Sequence, residues 1–300
     1  IAEMEGPGVI NRIWTPTPTD NMLYFYFDGQ KEPGLKIKFS DLFSGKVYPF
    51  LKPVCGNEIG GFYCYIPITY KKSCKIVFDG PKLEFIQIQY RNLPGKKVVT
   101  FDGDPSQQHK SLIEDVNNLW ADITPEVSGF TTGQSANVST VEQSFTLKPG
   151  EEIPFFKQNQ PGRIVGFTID AGSSFEGIYK DVLLSATWDN ESVEAIYAPV
   201  ADFFGYAYGK GAMRGMLMGK QGTANYCYLP MPYDKSASMK LIYKKRADIE
   251  QTPISVNVKV YYNNHPRNVK EEGKLYTLWH REKPELGEFF KFLDMKGKGH

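Results

Sequence analysis

Four cysteines and four histidines in 300 residues are little material for a disulfide framework or a metal centre. The histidines (His109, His265, His280, His300) are scattered and no Cys-x-x-Cys occurs, so neither a metal site nor a cofactor is expected. Cys64 and Cys227 each stand between two tyrosines in a strand-like run and read as small buried apolar residues. Cys55 and Cys74 have no counterpart elsewhere in the chain, and a pairing between them is open. Charge of one sign is lacking too: 35 basic residues face 34 acidic ones, and no basic tract supplies the footprint that nucleic-acid binding needs. No apolar run approaches the roughly 18 residues of a membrane-spanning helix. A nucleophile elbow, a phosphate loop, an HExxH pair and a dinucleotide fingerprint are all missing.

What is present is a duplication. Tyr63-Cys64-Tyr65-Ile66-Pro67-Ile68-Thr69-Tyr70-Lys71-Lys72-Ser73 returns as Tyr226-Cys227-Tyr228-Leu229-Pro230-Met231-Pro232-Tyr233-Asp234-Lys235-Ser236. Upstream, Asp28-Gly29 and Asp41-Leu42-Phe43 are matched by Asp189-Asn190 and Asp202-Phe203-Phe204, and Gly6-Pro7-Gly8 by Gln160-Pro161-Gly162. Landmarks in one order at nearly constant offset indicate a tandem repeat of about 150 residues, the usual size of a domain.

Aromatics make up 14% of the chain, with 18 Tyr and 20 Phe, which suits strands and also carbohydrate binding. Short strand signals parted by Gly, Pro and Asp fill both halves: Val9–Trp14, Leu23–Phe27, Leu35–Phe39, Lys75–Phe78 and Phe85–Tyr90, then Val182–Trp188, Met239–Tyr243 and Ile254–Tyr261. The pattern predicts an all-β chain with a sandwich or barrel in each repeat. One helix is predicted after an Asp104-Pro105 start, with Leu112, Val116, Leu119 and Trp120 on the face that packs on a sheet edge. The Ser, Thr, Gly and Asn of residues 128–144 read as a surface connection. The division expected is 1–100, a helix and connection over 101–144, and 145–300.

Few residues look able to carry chemistry. Asp28 and Asp189 read as hairpin residues, because Asp tolerates turn geometry. Asp41 and Asp202 either cap short turns or line a concave sugar site. The Tyr-Cys-Tyr run reads as a core strand ended by prolines. Trp279-His280-Arg281-Glu282 is the most polar cluster beside an aromatic: either Trp279 stacks a sugar ring while Arg281 binds hydroxyls, or the two form a surface pair. The opening at Ile1 and the close at His300 read as the ends of an internal fragment.

These motifs resemble glycoside hydrolase family 172. Gly6-Pro7-Gly8-Val9-Ile10-Asn11-Arg12-Ile13-Trp14 is similar to the family's opening. Pro199-Val200-Ala201-Asp202-Phe203-Phe204-Gly205, Tyr228-Leu229-Pro230-Met231-Pro232-Tyr233 and Leu275–Glu282 resemble motifs of its first jelly roll, with Tyr276, Thr277 and His280 departing from the last. Leu293–His300 resembles the turn leading into a next jelly roll. The resemblance implies two tandem jelly-roll β-sandwiches from a retaining enzyme acting on furanosidic sugars, fructofuranosides or arabinofuranosides. The family's two glutamates lie in E-G-D and G-T-G-[ST]-E-D-Y-F segments, and neither occurs in residues 1–300, so no catalytic residue is expected here. Asp202, Phe203, Trp279 and Arg281, with Trp14 more weakly, are the expected pocket wall. An oligosaccharide or disaccharide partner, assembly as a trimer or a multiple of it, and secreted or periplasmic placement follow from the same resemblance. The competing expectation is a carbohydrate-binding or structural double jelly roll without activity.

Overall fold

The computed structural model describes residues 1–103, 107–129, 138–291 and 293–297. It separates into two compact units, Ile1–Ile123 and Thr124–His300. The first contains β1 (Ala2–Glu5), β2 (Gly8–Thr15), β3 (Met22–Phe27), β4 (Leu35–Lys38), the small hairpin β5 (Lys46–Val47) and β6 (Phe50–Leu51), β7 (Cys55–Glu58), β8 (Gly61–Cys64), β9 (Ile68–Tyr70), β10 (Ser73–Asp79), β11 (Gln87–Asn92) and helix α1 (Gln107–Ala121). Its sheets run β1-β10-β3-β4 and β11-β2-β8-β7, with β9 also on β2.

The second unit repeats the plan. It contains β12 (Ser139–Leu147), β13 (Glu152–Gln158), β14 (Gly162–Asp170), β15 (Val182–Trp188), β16 (Ile196–Pro199), the single-turn helix α2 (Val200–Phe203), the hairpin β17 (Tyr206–Ala207) and β18 (Lys210–Gly211), β19 (Met218–Gln221), β20 (Ala224–Cys227), β21 (Met231–Tyr233), β22 (Ala237–Tyr243) and β23 (Ile254–Asn263). Its sheets run β12-β23-β14-β20-β19 and β13-β22-β15-β16. The first strand lies beside the last, and the chain crosses between the two sheets from β12 through β15, again from β16 to β19, and again from β21 through β23, as in a jelly roll. In the first unit β1, β2, β3, β4, β10 and β11 hold the places of β13, β14, β15, β16, β22 and β23, and β11 forms the sheet edge where β23 carries β12.

Each sandwich closes on its own core. Val256, Val258 and Val260 of β23 are buried while Ser255 and Asn257 face out, the period-two signature of a half-buried strand. They meet Phe167 and Ile169 of β14 and, from the other sheet, Leu184, Trp188, Met239 and Leu241. The first core gathers Ile10, Ile13, Phe25, Phe27, Ile68 and Ile76 in the same way. Two repeated features have a packing cause. Tyr70 lies opposite Gly8, and Tyr233 opposite Gly162. A Cβ on Gly8 would stand 2.4 Å from the Tyr70 hydroxyl, and one on Gly162 would stand 2.5 Å from the Asn263 carbonyl, so only glycine fits under either ring. Burial pushes both tyrosines up to about 12.

The structure departs from the sequence reading in three places. Ser139–Ser144, read as connection, belongs to β12, which pairs with β23 from Ser139 opposite Tyr262 to Leu147 opposite Ile254. Its Ser, Thr and Gln face outward on an edge strand, and polar composition there mimics a loop. Residues 130–137 of that connection lie outside the described residues. In α1, Leu112 is 54% exposed and Val116 is exposed as well, while Leu119 and Trp120 are half-buried, so the expected face packs only at its C-terminal end. There the Trp120 ring stacks on Tyr65 at 5.7 Å. The Asp104-Pro105 start also lies outside the described residues. Finally, Cys55 faces Cys64 across β7 and β8, while Cys74 sits on β10 in the opposite sheet; all four thiols are free and buried.

Candidate functional site

The site is built by the chain beyond the last strand of the second unit. Residues 264–279 run back over the sandwich as a strap, fastened by buried or half-buried polar groups. Arg163, on β14, is 3% exposed at its side chain and grips Glu272 with two bonds of 2.7 and 2.8 Å. Arg267 pairs with Asp234 in the same forked way, at 3.0 and 2.8 Å. Lys274 sits among Asp189 at 2.5 Å, Glu191 at 3.0 Å and Asp234 at 3.6 Å. The indole of buried Trp188 donates to the Leu275 carbonyl, and the Thr277 amide donates to the Ala195 carbonyl.

Asp189 is the hub. It stands in the left-handed region at φ 57, as a hairpin Asp does, and its Oδ1 accepts from the amides of Asp234, Lys235 and Ser236. Burial alone would raise its pKa; the Lys274 hydrogen bond and the amides outweigh burial and hold the carboxyl below the ordinary value. The Arg267 bond, against burial, holds Asp234 down, and the Arg163 bond does the same for Glu272. The first unit repeats the device in reduced form. Asp28, at φ 56, accepts from the Lys72 and Ser73 amides, and Thr100 of the segment after β11 donates to its other oxygen.

The strap delivers Trp279 to Asp202. The Trp279 indole Nε1 donates to Asp202 Oδ2 at 2.9 Å, and Lys180 pairs with Oδ1. Trp279 remains 37% exposed while its N–H is engaged. Asp202 is carried on α2. Lys180 reaches it from the loop before β15, with its backbone at φ 55, a costly conformation for a long side chain and one found at functional sites. Both oxygens of Asp202 are thereby occupied, by a cation and by an indole N–H. That arrangement suits a fixed acceptor for hydroxyls and not a free nucleophile. Beside it lies a polar cavity of about 240 Å³, lined by Phe175, Tyr179, Lys180, Asp181 and Ala201 among others. Arg246 lies over the Tyr179 ring at 4.6 Å and also faces Asp181.

Of the residues singled out in the sequence, Asp202 and Trp279 are brought into contact. Phe203 turns inward, 5.9 Å from Phe167 and 5.0 Å from Phe204. Arg281 is exposed two residues beyond Trp279. Trp14 belongs to the other unit, on β2, with the Arg12 guanidinium 5.8 Å from its ring. Sequence reasoning missed Lys180, Arg163 and Lys274. The recurrence of Asp28 and Asp189 was the available signal for the hub, but it indicated a turn and not the partners. Among the described residues no group of three or more His, Cys, Asp or Glu could hold a metal ion. None of the described helices is long and apolar enough to cross a membrane.

Fold and site together define a tandem jelly-roll protein whose second sandwich presents an indole and a carboxylate side by side. Two family models then place it: GH172 first beta-sandwich domain matches residues 1–109, and GH172 domain-like matches residues 137–256. The chain belongs to glycoside hydrolase family 172. The first-sandwich model falls on the first unit, which corrects the expectation that the second half corresponds to the family's first jelly roll. Asp202 and Phe203 lie within the second match, and Trp279 and Arg281 lie beyond its end. No curated protein matches the sequence. Among solved structures, the cyanophage Pam1 capsid asymmetric unit is similar at 11% identity and a TM-score of 0.28, over 42% of this chain and 84% of that one. The VP2 subviral particle of infectious bursal disease virus is similar at 13% identity and a TM-score of 0.25, over 86% of this chain and 58% of that one. A T=1 particle derived from infectious bursal virus gives 14%, 0.24, 86% and 56%.

Proposed function

We propose that residues 1–300 are the non-catalytic portion of a retaining glycoside hydrolase acting on furanosidic sugars, fructofuranosides or arabinofuranosides. Asp202 and Trp279 form the sugar-facing wall, with Phe203 supporting it from the core and Arg281 reaching in from the exposed chain. Trp14, the weaker sugar-contact residue of this reading, stands on the first unit by itself. The observation that carries this reading is the hydrogen bond from Trp279, itself 37% exposed, to Asp202. An aromatic face covers the C–H side of a sugar ring, and a carboxylate held by Lys180 offers acceptors to its hydroxyls. A retaining glycosidase needs two carboxyl groups roughly 5–5.5 Å apart, one to attack and one to protonate. Neither Asp28 nor Asp202 is free for that work: the first is bound by backbone amides and Thr100, the second by Lys180 and Trp279. The same reading includes self-association through the sandwiches as trimers or a multiple of them, and secretion or periplasmic placement to meet the sugar.

Calorimetric titration with D-fructose and D-arabinose tests the wall. The chain should bind one of them, and Trp279→Ala should weaken binding roughly tenfold or more, the loss of about 1.4 kcal/mol. Aryl furanosides should not be hydrolysed by residues 1–300 alone. Equal affinity in the variant, or steady turnover by these residues, overturns the assignment, and a structural double jelly roll would be the better description.

A further inference from the structure

The first unit carries two thiols in a relation that the furanosidase reading does not use. Strands β7 and β8 form a hairpin joined by Ile59 and Gly60, both in the left-handed region at φ 47 and 77. That pair of angles is the two-residue turn that suits the twist of antiparallel strands. It makes Glu58 and Gly61 the hydrogen-bonded closing pair, so the pairs alternate outward and Cys55 with Cys64 fall on a non-hydrogen-bonded position. Residues so placed have Cα atoms about 4.5 Å apart with side chains leaning together. That separation is inside the roughly 4.4–6.8 Å range a disulfide spans. Both side chains point to the same core face, at 0% and 1% exposure, and both belong to the core of the first unit. The other two cysteines, Cys74 on β10 and Cys227 on β20, sit in different sheets and different units.

We propose that Cys55 and Cys64 are a cross-strand dithiol site that closes to a disulfide when the chain folds in the presence of a disulfide oxidant such as oxidised glutathione. One thiolate attacks a sulfur of the oxidant, forming a mixed disulfide and releasing one reduced thiol. The second cysteine then displaces the remaining half. Two S–H bonds are lost and one S–S bond is formed; two electrons reduce the oxidant to two thiols, and the protons pass to solvent and to the departing thiolates. Timing follows from burial. In the closed sheet, the neighbouring Cys64 thiol and burial hold the Cys55 thiol far above its ordinary value, and a protonated, covered thiol exchanges slowly. The reaction therefore belongs to folding or to opening of the hairpin.

The test is refolding of the full chain in a mixture of oxidised and reduced glutathione, followed by thiol titration and peptide mass mapping without reduction. Titratable thiols should fall from four to two. No Lys or Arg lies between residues 53 and 70, so one tryptic peptide carries both cysteines, and cleavage at Glu58 should leave its halves joined until a reductant is added. Cys74→Ala should keep the crosslink, and Cys64→Ala should abolish it. A link from Cys55 to Cys74, or four free thiols after refolding with oxidant, would overturn the proposal.

Discussion

Asp189 shows how one side chain serves a turn and a site at once. Its φ of 57 closes the hairpin after β15, its Oδ1 gathers three amides, and its Oδ2 receives Lys274. Asp189→Ala should cost about 3–5 kcal/mol, because it leaves a largely buried ammonium without its nearest partner. Denaturant unfolding of the variant measures this, and a loss below about 1 kcal/mol would show that Glu191 and Asp234 suffice. The pH dependence follows from the directions of the shifts. Asp189, Asp234 and Glu272 are held below their ordinary values, so their contribution is complete above the unfolded carboxylate range of about 4 and is lost as pH falls through the folded values. Tyr70, Tyr226 and Tyr233 run the other way. Pushed up to about 12, they stabilise the fold below the unfolded tyrosine value of about 10, and that contribution is lost as pH rises from there through 12. Thermal unfolding followed from acid to alkali should show both flanks, the alkaline one with the last part of the tyrosinate absorbance, from Tyr70, Tyr226 and Tyr233, appearing as the fold is lost. Gly8→Ala should lower stability by about 1–3 kcal/mol, since the new methyl meets the Tyr70 ring.

Among the elements, the strap over residues 264–279 decides whether there is a site. It has no regular secondary structure and is held by side chains, so alternation and helical period give no sign of it in the sequence. The strands were legible because apolar and polar residues alternate along them: the expected Val182–Trp188 is β15 residue for residue. β12 was hidden because an edge strand rich in Ser, Thr and Gln carries the composition of a loop. Arg163 is the strap's deepest anchor, and in the sequence it is only the residue after a repeated Pro-Gly, where the first copy has Val9. Arg163→Ala should cost about 3–5 kcal/mol by leaving Glu272 unpaired, and a double-mutant cycle with Glu272→Ala should recover a clear coupling energy. If the strap positions Trp279, the same variant should also weaken sugar binding, although residue 163 lies far along the chain from the indole. Unchanged affinity in a folded Arg163→Ala protein would separate the anchor from the site.

Across the whole molecule, the duplication explains the paired landmarks. The Pro-Gly before β2 and β14, the Asp in the left-handed region, and the Tyr over a glycine are one ancestral sandwich written twice. The two copies have since diverged beyond their last strands. In the first, Thr100 touches Asp28 and the chain passes into α1; in the second, Lys274 meets Asp189 and the chain goes on to Trp279. Asp202 and Trp279 were nameable from sequence through a family resemblance, but their direct contact was not, because 77 residues separate them and only the strap joins them. The most direct measurement of the account is a crystal soaked with D-fructose or D-arabinose. The account predicts a sugar ring stacked on Trp279, with a hydroxyl donating to Asp202. A bare indole at saturating sugar, or a ring ordered only away from Asp202 and Trp279, would contradict it.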